Sequence, residues 1–257
     1  MRPQAMLSAR GITAGYGAVP VIRDVSVDAA PGEVALVIGP NGAGKSTLIK
    51  ALNGELGLMS GSVLLAGEDI SRLTEDQRAV RGLGYVPQSR DVFGTLTVTE
   101  NLQMGGYRLS QDLVTERVAE IFDRFPSLAK LRKRLGQTLS GGERKLLAIA
   151  RALVAQPTAL MLDEPTANLA PAVAKRVLGE VVAGLADGGA AVLLVEQRIA
   201  LALDAASWVY VLVDGTPRFA GPAAEFRALP DMGAVFFARG ADSVPATSTP
   251  AARRRYQ

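Results

Sequence analysis

The stretch "GPNGAGKST", Gly39 to Thr47, sets glycines, a lysine and hydroxyls at the spacing G-x-x-x-x-G-K-[ST]. Such glycines let the backbone curl until successive N–H groups face inward as an anion nest. An apolar run, "EVALVI", precedes the stretch and a helix-like run, "TLIKALNG", follows it. The positive end of a helix would therefore point at the same anion. Gly39, Pro40, Asn41, Gly42, Ala43, Gly44, Lys45, Ser46 and Thr47 become candidate contacts for a nucleoside triphosphate. Lys45 would reach the β- and γ-phosphates, and the Ser46 hydroxyl would ligate Mg2+. The plainer reading of the same letters is a glycine-rich turn between strand and helix.

Three other stretches could serve the same chemistry. In "ALMLDEPTA", Asp163 closes an apolar run and Glu164 follows it. Asp163 could hold Mg2+ through water, and Glu164 could polarise an attacking water as general base. Paired acids after a strand also serve as helix caps. In "LSGGERKLLAIARAL", Ser140, Gly141 and Gly142 open a helix, which makes a second anion site of hydroxyl, backbone N–H and dipole. That site is surplus unless it acts on another subunit's nucleotide, and a serine-capped helix start is the alternative. In "AVLLVEQRIA", an apolar run delivers Gln197. Its amide can donate to a phosphate oxygen and accept from water, but it cannot ionise. Glu164 is then the only plausible base, since the chain has no histidine.

These stretches need elements to hold them. "EVALVIGP", "ALMLDEP" and "AVLLVE" are continuously apolar, the mark of strands buried on both faces in a parallel sheet flanked by helices. Residues 21–29, 61–70 and 208–221 alternate more, and the last reads as a hairpin around Asp214-Gly215. They predict an antiparallel β layer beside the parallel core. "LVTERVAEIFDRF" sets Val114, Val118, Ile121, Phe122 and Phe125 on one helical face. The fold class expected is α/β: a P-loop NTPase core with a mixed sheet, an antiparallel layer and an inserted helical lobe. The core would take residues 1–96 and 157–240, and the lobe about 97–156. Residues 241–257 have a disordered composition, and their run Arg253–Arg255 reads as a solvated tail.

Composition narrows the classes. The absence of histidine and cysteine excludes disulfides, thiolate chemistry, zinc sites and imidazole catalysis. A formal net charge of +3, with 28 basic residues interspersed among 25 acidic ones, is too mild to argue for nucleic acid. No stretch approaches the about 18 to 20 uninterrupted apolar residues of a spanning helix. The opening "MRPQAMLSAR" lacks the apolar core of a signal peptide. A soluble chain able to dock on a membrane protein is expected, with a mean hydropathy of +0.19 that fits buried parallel strands.

Taken together, the chain resembles the ATP-binding subunits of ABC transporters over residues 6–238, with the matching pieces in the family's order. The resemblance implies a role for Tyr16 in "GYG", stacking on adenine, and for Gln88 in "GYVPQ", sensing Mg2+ and water. It implies a dimer of such ATPases, identical or not, sandwiching ATP between the P-loop of one and the Ser140 site of the other. It also implies two membrane-spanning permease subunits, a periplasmic-type solute-binding protein, and a place on the cytoplasmic face of the membrane. Two departures narrow the subgroup: Gln197 stands where the family usually has histidine, and Ala170 where it usually has aspartate. Both resemble the branched-chain amino acid importers, with relatives that carry amides or urea. An exporter is the alternative. A DNA-repair type ABC ATPase would need long heptad arms between Thr47 and Ser140, and none is present. A regulator without turnover would lack the base, yet Glu164 is present.

Overall fold

The computed structural model describes residues 3–89 and 91–237. The strands are β1 (Leu7–Tyr16), β2 (Val19–Ala29), β3 (Val34–Ile38), β4 (Leu58–Leu65), β5 (Glu68–Asp69), β6 (Leu83–Val86), β7 (Ala159–Asp163), β8 (Ala191–Val195), β9 (Trp208–Val213) and β10 (Thr216–Pro222). The helices are α1 (Lys45–Asn53), α2 (Glu75–Val80), α3 (Val98–Gly105), α4 (Gln111–Arg124), α5 (Pro126–Ala129), α6 (Gly141–Val154), α7 (Pro171–Arg176), α8 (Ala183–Asp187), α9 (Ile199–Ala205), α10 (Ala223–Arg227) and α11 (Ala234–Phe237).

Two sheets form. One is antiparallel, ordered β2-β1-β4-β5. The other is ordered β10-β9-β3-β8-β7-β6; its neighbours pair in parallel except β10, which runs antiparallel to β9. The apolar runs at β3, β7 and β8 are buried at every position. In β3, Ala35 and Val37 pack with α1 and the antiparallel sheet, whereas Val34, Leu36 and Ile38 pack with the helices after β7. Two covered faces explain why the run does not alternate. A third apolar cluster, from Val98 to Val154, gathers α3, α4 and α6. It buries Val114, Val118, Ile121 and Phe125, with Phe122 partly buried.

The hairpin turns at Asp214-Gly215, both at positive φ, but it does not join the antiparallel layer as expected. β9 pairs in parallel with β3 and is buried along nearly its whole length, so the hairpin is the edge of the core sheet. The stretch 61–70 is also not one strand: Ala66 and Gly67, both at positive φ, break it between β4 and β5. The expected tail 241–257 lies outside the described residues.

Strand register positions the site. Val195 of β8 lies opposite Val37 of β3 on one side and Asp163 of β7 on the other. The carboxyl ends of the three strands are therefore level. The chain leaves β3 for β6, three strands away, which makes the β3/β8 boundary a topological switch point. Ligands of open α/β sheets bind in the crevice beyond such strand ends.

Candidate nucleotide-hydrolysis site

The loop after β3 wraps the start of α1. Gly39 is pressed against β9, where a Cβ would lie 2.1 Å from the Leu212 carbonyl oxygen. Gly44 caps α1 at φ 96°, a backbone conformation that side-chain-bearing residues avoid. The first turn of α1 carries no acidic residue, so its orphan N–H groups stay available to an anion. A cavity of ≈ 300 Å³ opens here, lined by Asn41 to Thr47 together with Val21, Glu164 and Gln197. Lys45 is nearly buried, and its Nζ donates to the carbonyls of Gly39 at 2.8 Å and Pro40 at 3.1 Å. Burial holds its pKa below the ordinary value, partly offset by the charges of Glu164 and Asp163.

Asp163 and Glu164 enter the same region from the end of β7. Burial, and then the neighbouring Glu164 charge, push the Asp163 carboxyl up to about 6. Among the described residues its Oδ1 is buried without a hydrogen-bond partner. A lone carboxylate oxygen beside a phosphate cradle suits Mg2+ or its water shell. No cluster of three or more His, Cys, Asp or Glu side chains among the described residues could hold a metal by itself. Ser46, the Gln88 amide oxygen and nucleotide phosphates would then complete the coordination.

Glu164 has φ 43°, a costly conformation outside glycine that the surrounding structure must impose. Its backbone N–H donates to the Val195 carbonyl at 2.8 Å. Both carboxylate oxygens also accept hydrogen bonds. Gln197 Nε2 donates to Oε1 at 2.7 Å, and Gln88 Nε2, just beyond β6, donates to Oε2 at 2.6 Å. Each oxygen keeps a further lone-pair site for water.

Glu196 is a residue that the motif reading passed over. It is buried, and its Oε1 accepts from Thr166 N at 2.9 Å and Thr166 Oγ1 at 2.7 Å, while Oε2 accepts from Gln197 N at 3.1 Å. It thereby clasps the loop after β7 to the loop after β8. A carboxylate at the end of an apolar strand was the available signal, but one letter does not name its partner.

Tyr16 and Ser140 stand apart from the phosphate cavity. Tyr16 ends β1 opposite Val19 and is 53% exposed; Val21 of the same hairpin reaches the cavity. Ser140 caps α6 in a box with Glu143: Ser140 Oγ accepts from Glu143 N at 3.4 Å, and Glu143 Oε2 accepts from Ser140 N at 2.8 Å. Glu143 therefore helps define the turn at Ser140. Ser140, Gly141 and Gly142 face a different cavity of ≈ 390 Å³, shared with Asn168 and Ala170.

The sequence pattern of the ABC transporter family matches residues 22–167. The chain belongs to the ABC transporter family. A probable branched-chain amino acid transport ATP-binding protein LivF of Archaeoglobus fulgidus is 40% identical over 220 residues, covering 86% of this chain and 93% of that protein. A lipopolysaccharide export system ATP-binding protein LptB of Haemophilus influenzae is 35% identical over 215 residues, covering 82% and 88%. The ADP conformation of an ATP-binding cassette of an ABC transporter superposes with a TM-score of 0.80 at 28% identity, covering 92% of this chain and all of that one. This ABC ATPase thus has the nucleotide-binding α/β cassette of its family, with its mixed and antiparallel sheets. No helix among its described residues is long and apolar enough to cross a membrane.

Proposed function

We propose that this ABC ATPase powers the import of branched-chain or other hydrophobic amino acids, working with two membrane-spanning permease subunits and a periplasmic-type solute-binding protein. The observation that carries the reading is the likeness to LivF over most of both chains. Gln197 and Ala170, the two departures from the usual family letters, support the same subgroup. The ATPase acts from the cytoplasmic face of the membrane. An apolar groove of ≈ 440 Å³, between β6 and the helices α3 and α6, includes Val80, Met104 and Tyr107 and suits a permease element.

In this reading Lys45 and the N–H groups of Gly39 and of Asn41 to Thr47 bind the ATP phosphates, with Pro40 shaping the same loop, and Tyr16 stacks on the adenine. Ser46, Asp163 and Gln88 hold Mg2+, which neutralises developing phosphate charge when bound. Glu164 is the general base toward water, held by Gln88 and Gln197. Ser140, Gly141 and Gly142 contact the nucleotide of a second ATPase subunit, identical or paired. ATP binds the closed dimer better than the open one, so hydrolysis reopens it.

The test is uptake of labelled leucine into vesicles carrying the assembled transporter, with wild-type chain and with Glu164→Gln. ATP-dependent uptake lost in the variant supports the reading. Uptake of amides or urea alone, or solute leaving instead of entering, overturns the amino acid assignment.

A further inference from the structure

Lys145 lies on α6, five residues past Ser140, and is 4% exposed. Burying an ammonium is expensive, and an apolar residue of similar length would pack there at less cost. Its neighbours Leu146, Leu147 and Ile149 are buried without such a cost. The ammonium is nevertheless fully engaged. Nζ lies 2.5 Å from Asp91 Oδ2, 3.2 Å from the Gln88 carbonyl oxygen and 3.3 Å from the Pro87 carbonyl oxygen. Those contacts match its three N–H donors.

The same segment is fixed further along. The Arg151 guanidinium, also on α6, sits over the Phe93 ring at 4.9 Å. Fully buried Asn101 accepts from Phe93 N at 2.8 Å and donates to its carbonyl at 2.9 Å. Pro87, Gln88, Asp91 and Phe93 are thus each tied to α3 or α6 on one side. On the other, the Gln88 side chain reaches Glu164.

We propose that Lys145 is a positioning residue for hydrolysis: by holding Asp91 and the carbonyls of Pro87 and Gln88 to α6, it sets the Gln88–Glu164 hydrogen bond. Lys145 acts through Gln88 and not as a catalytic group itself. It makes a rigid path from the helix that begins at Ser140 to the base. The proposal rests on the reading of Glu164 and Gln88 above.

The test is steady-state ATP hydrolysis by the full-length chain with Mg2+. Lys145→Met combined with Asp91→Leu replaces the pair by apolar side chains of similar size, so no buried charge is orphaned. The expected result is a kcat lower by on the order of tenfold, with KM for ATP and the thermal midpoint little changed. In a Gln88→Ala background the same replacement should cost nothing further, because coupled residues are not additive. Asp91→Asn, which keeps the cation and an acceptor oxygen, should shift kcat in the same direction by less, again only when Gln88 is present. An unchanged kcat, an effect on KM alone, or the same loss in both backgrounds overturns the proposal. If Gln88→Ala itself leaves kcat intact, the reading of the site falls and the role of Lys145 with it; if Gln88→Ala lowers kcat and the pair replacement does not, only the role of Lys145 falls.

Discussion

Gln197 Nε2 donates to Glu164 Oε1 at 2.7 Å, on a carboxylate whose other oxygen accepts from Gln88 at 2.6 Å. The amide at the end of β8 therefore orients the Glu164 carboxylate, the proposed base, and its second N–H remains for a phosphate oxygen. A neutral residue does this without offering a rival site for the proton.

Gln197→Ala removes a hydrogen bond to a charged group, worth about 1.5–3 kcal/mol. The expected outcome in steady-state assays is a kcat about 10- to 100-fold lower. Gln197→His, which keeps a donor, should be tolerated. Gln197→Glu should be worse than alanine, because it sets a second carboxylate against Glu164. Normal turnover by Gln197→Ala would show the residue to be strand-end filler.

Glu164→Gln keeps the shape of the side chain and removes the proposed base. ATP affinity should persist while kcat falls by roughly 10²- to 10⁴-fold. Light scattering with ATP and Mg2+ should then show a dimer. A monomer under those conditions contradicts the ATP sandwich.

Asp163 carries a pH dependence whose sign can be stated. Its carboxyl is raised from an ordinary 3.8 to about 6 in the fold, so the folded chain binds the proton more tightly than the unfolded one. The stability from this group is full below the unfolded value and is lost as pH rises through about 6. Asp163→Asn should therefore flatten the fall of the nucleotide-free melting temperature between those two values and melt higher than wild type at pH 8. Mg2+ binding should run the other way, weakening as the pH drops below about 6, because the cation needs the ionised carboxylate. Calorimetry of Mg2+ binding checks that half.

Glu196→Ala strips the acceptor from two donors of Thr166, a fully buried residue. The loss of stability should be on the order of 3 kcal/mol, measured by denaturant unfolding. Hydrolysis should fall as well, because Thr166 lies two residues past Glu164. Unfolding at the wild-type midpoint would show that the clasp is not needed.

The letters were enough for features settled between near neighbours along the chain. The glycines from Gly39 to Gly44 dictate their own backbone curl, Ser140 caps its own helix, and unbroken apolar runs at β3, β7 and β8 demand cover on both faces. What joins distant stretches was not legible. The hairpin after Trp208 alternates enough to suggest the antiparallel layer, yet its pairing with β3 puts it in the core sheet. Gln88 and Glu164 lie 76 residues apart in sequence, and Lys145 meets the Gln88 carbonyl across 57. Their meeting depends on strand order and register. Those follow from many weak side-chain contacts summed over the folded chain, whereas a turn or a cap is decided by the few residues that form it.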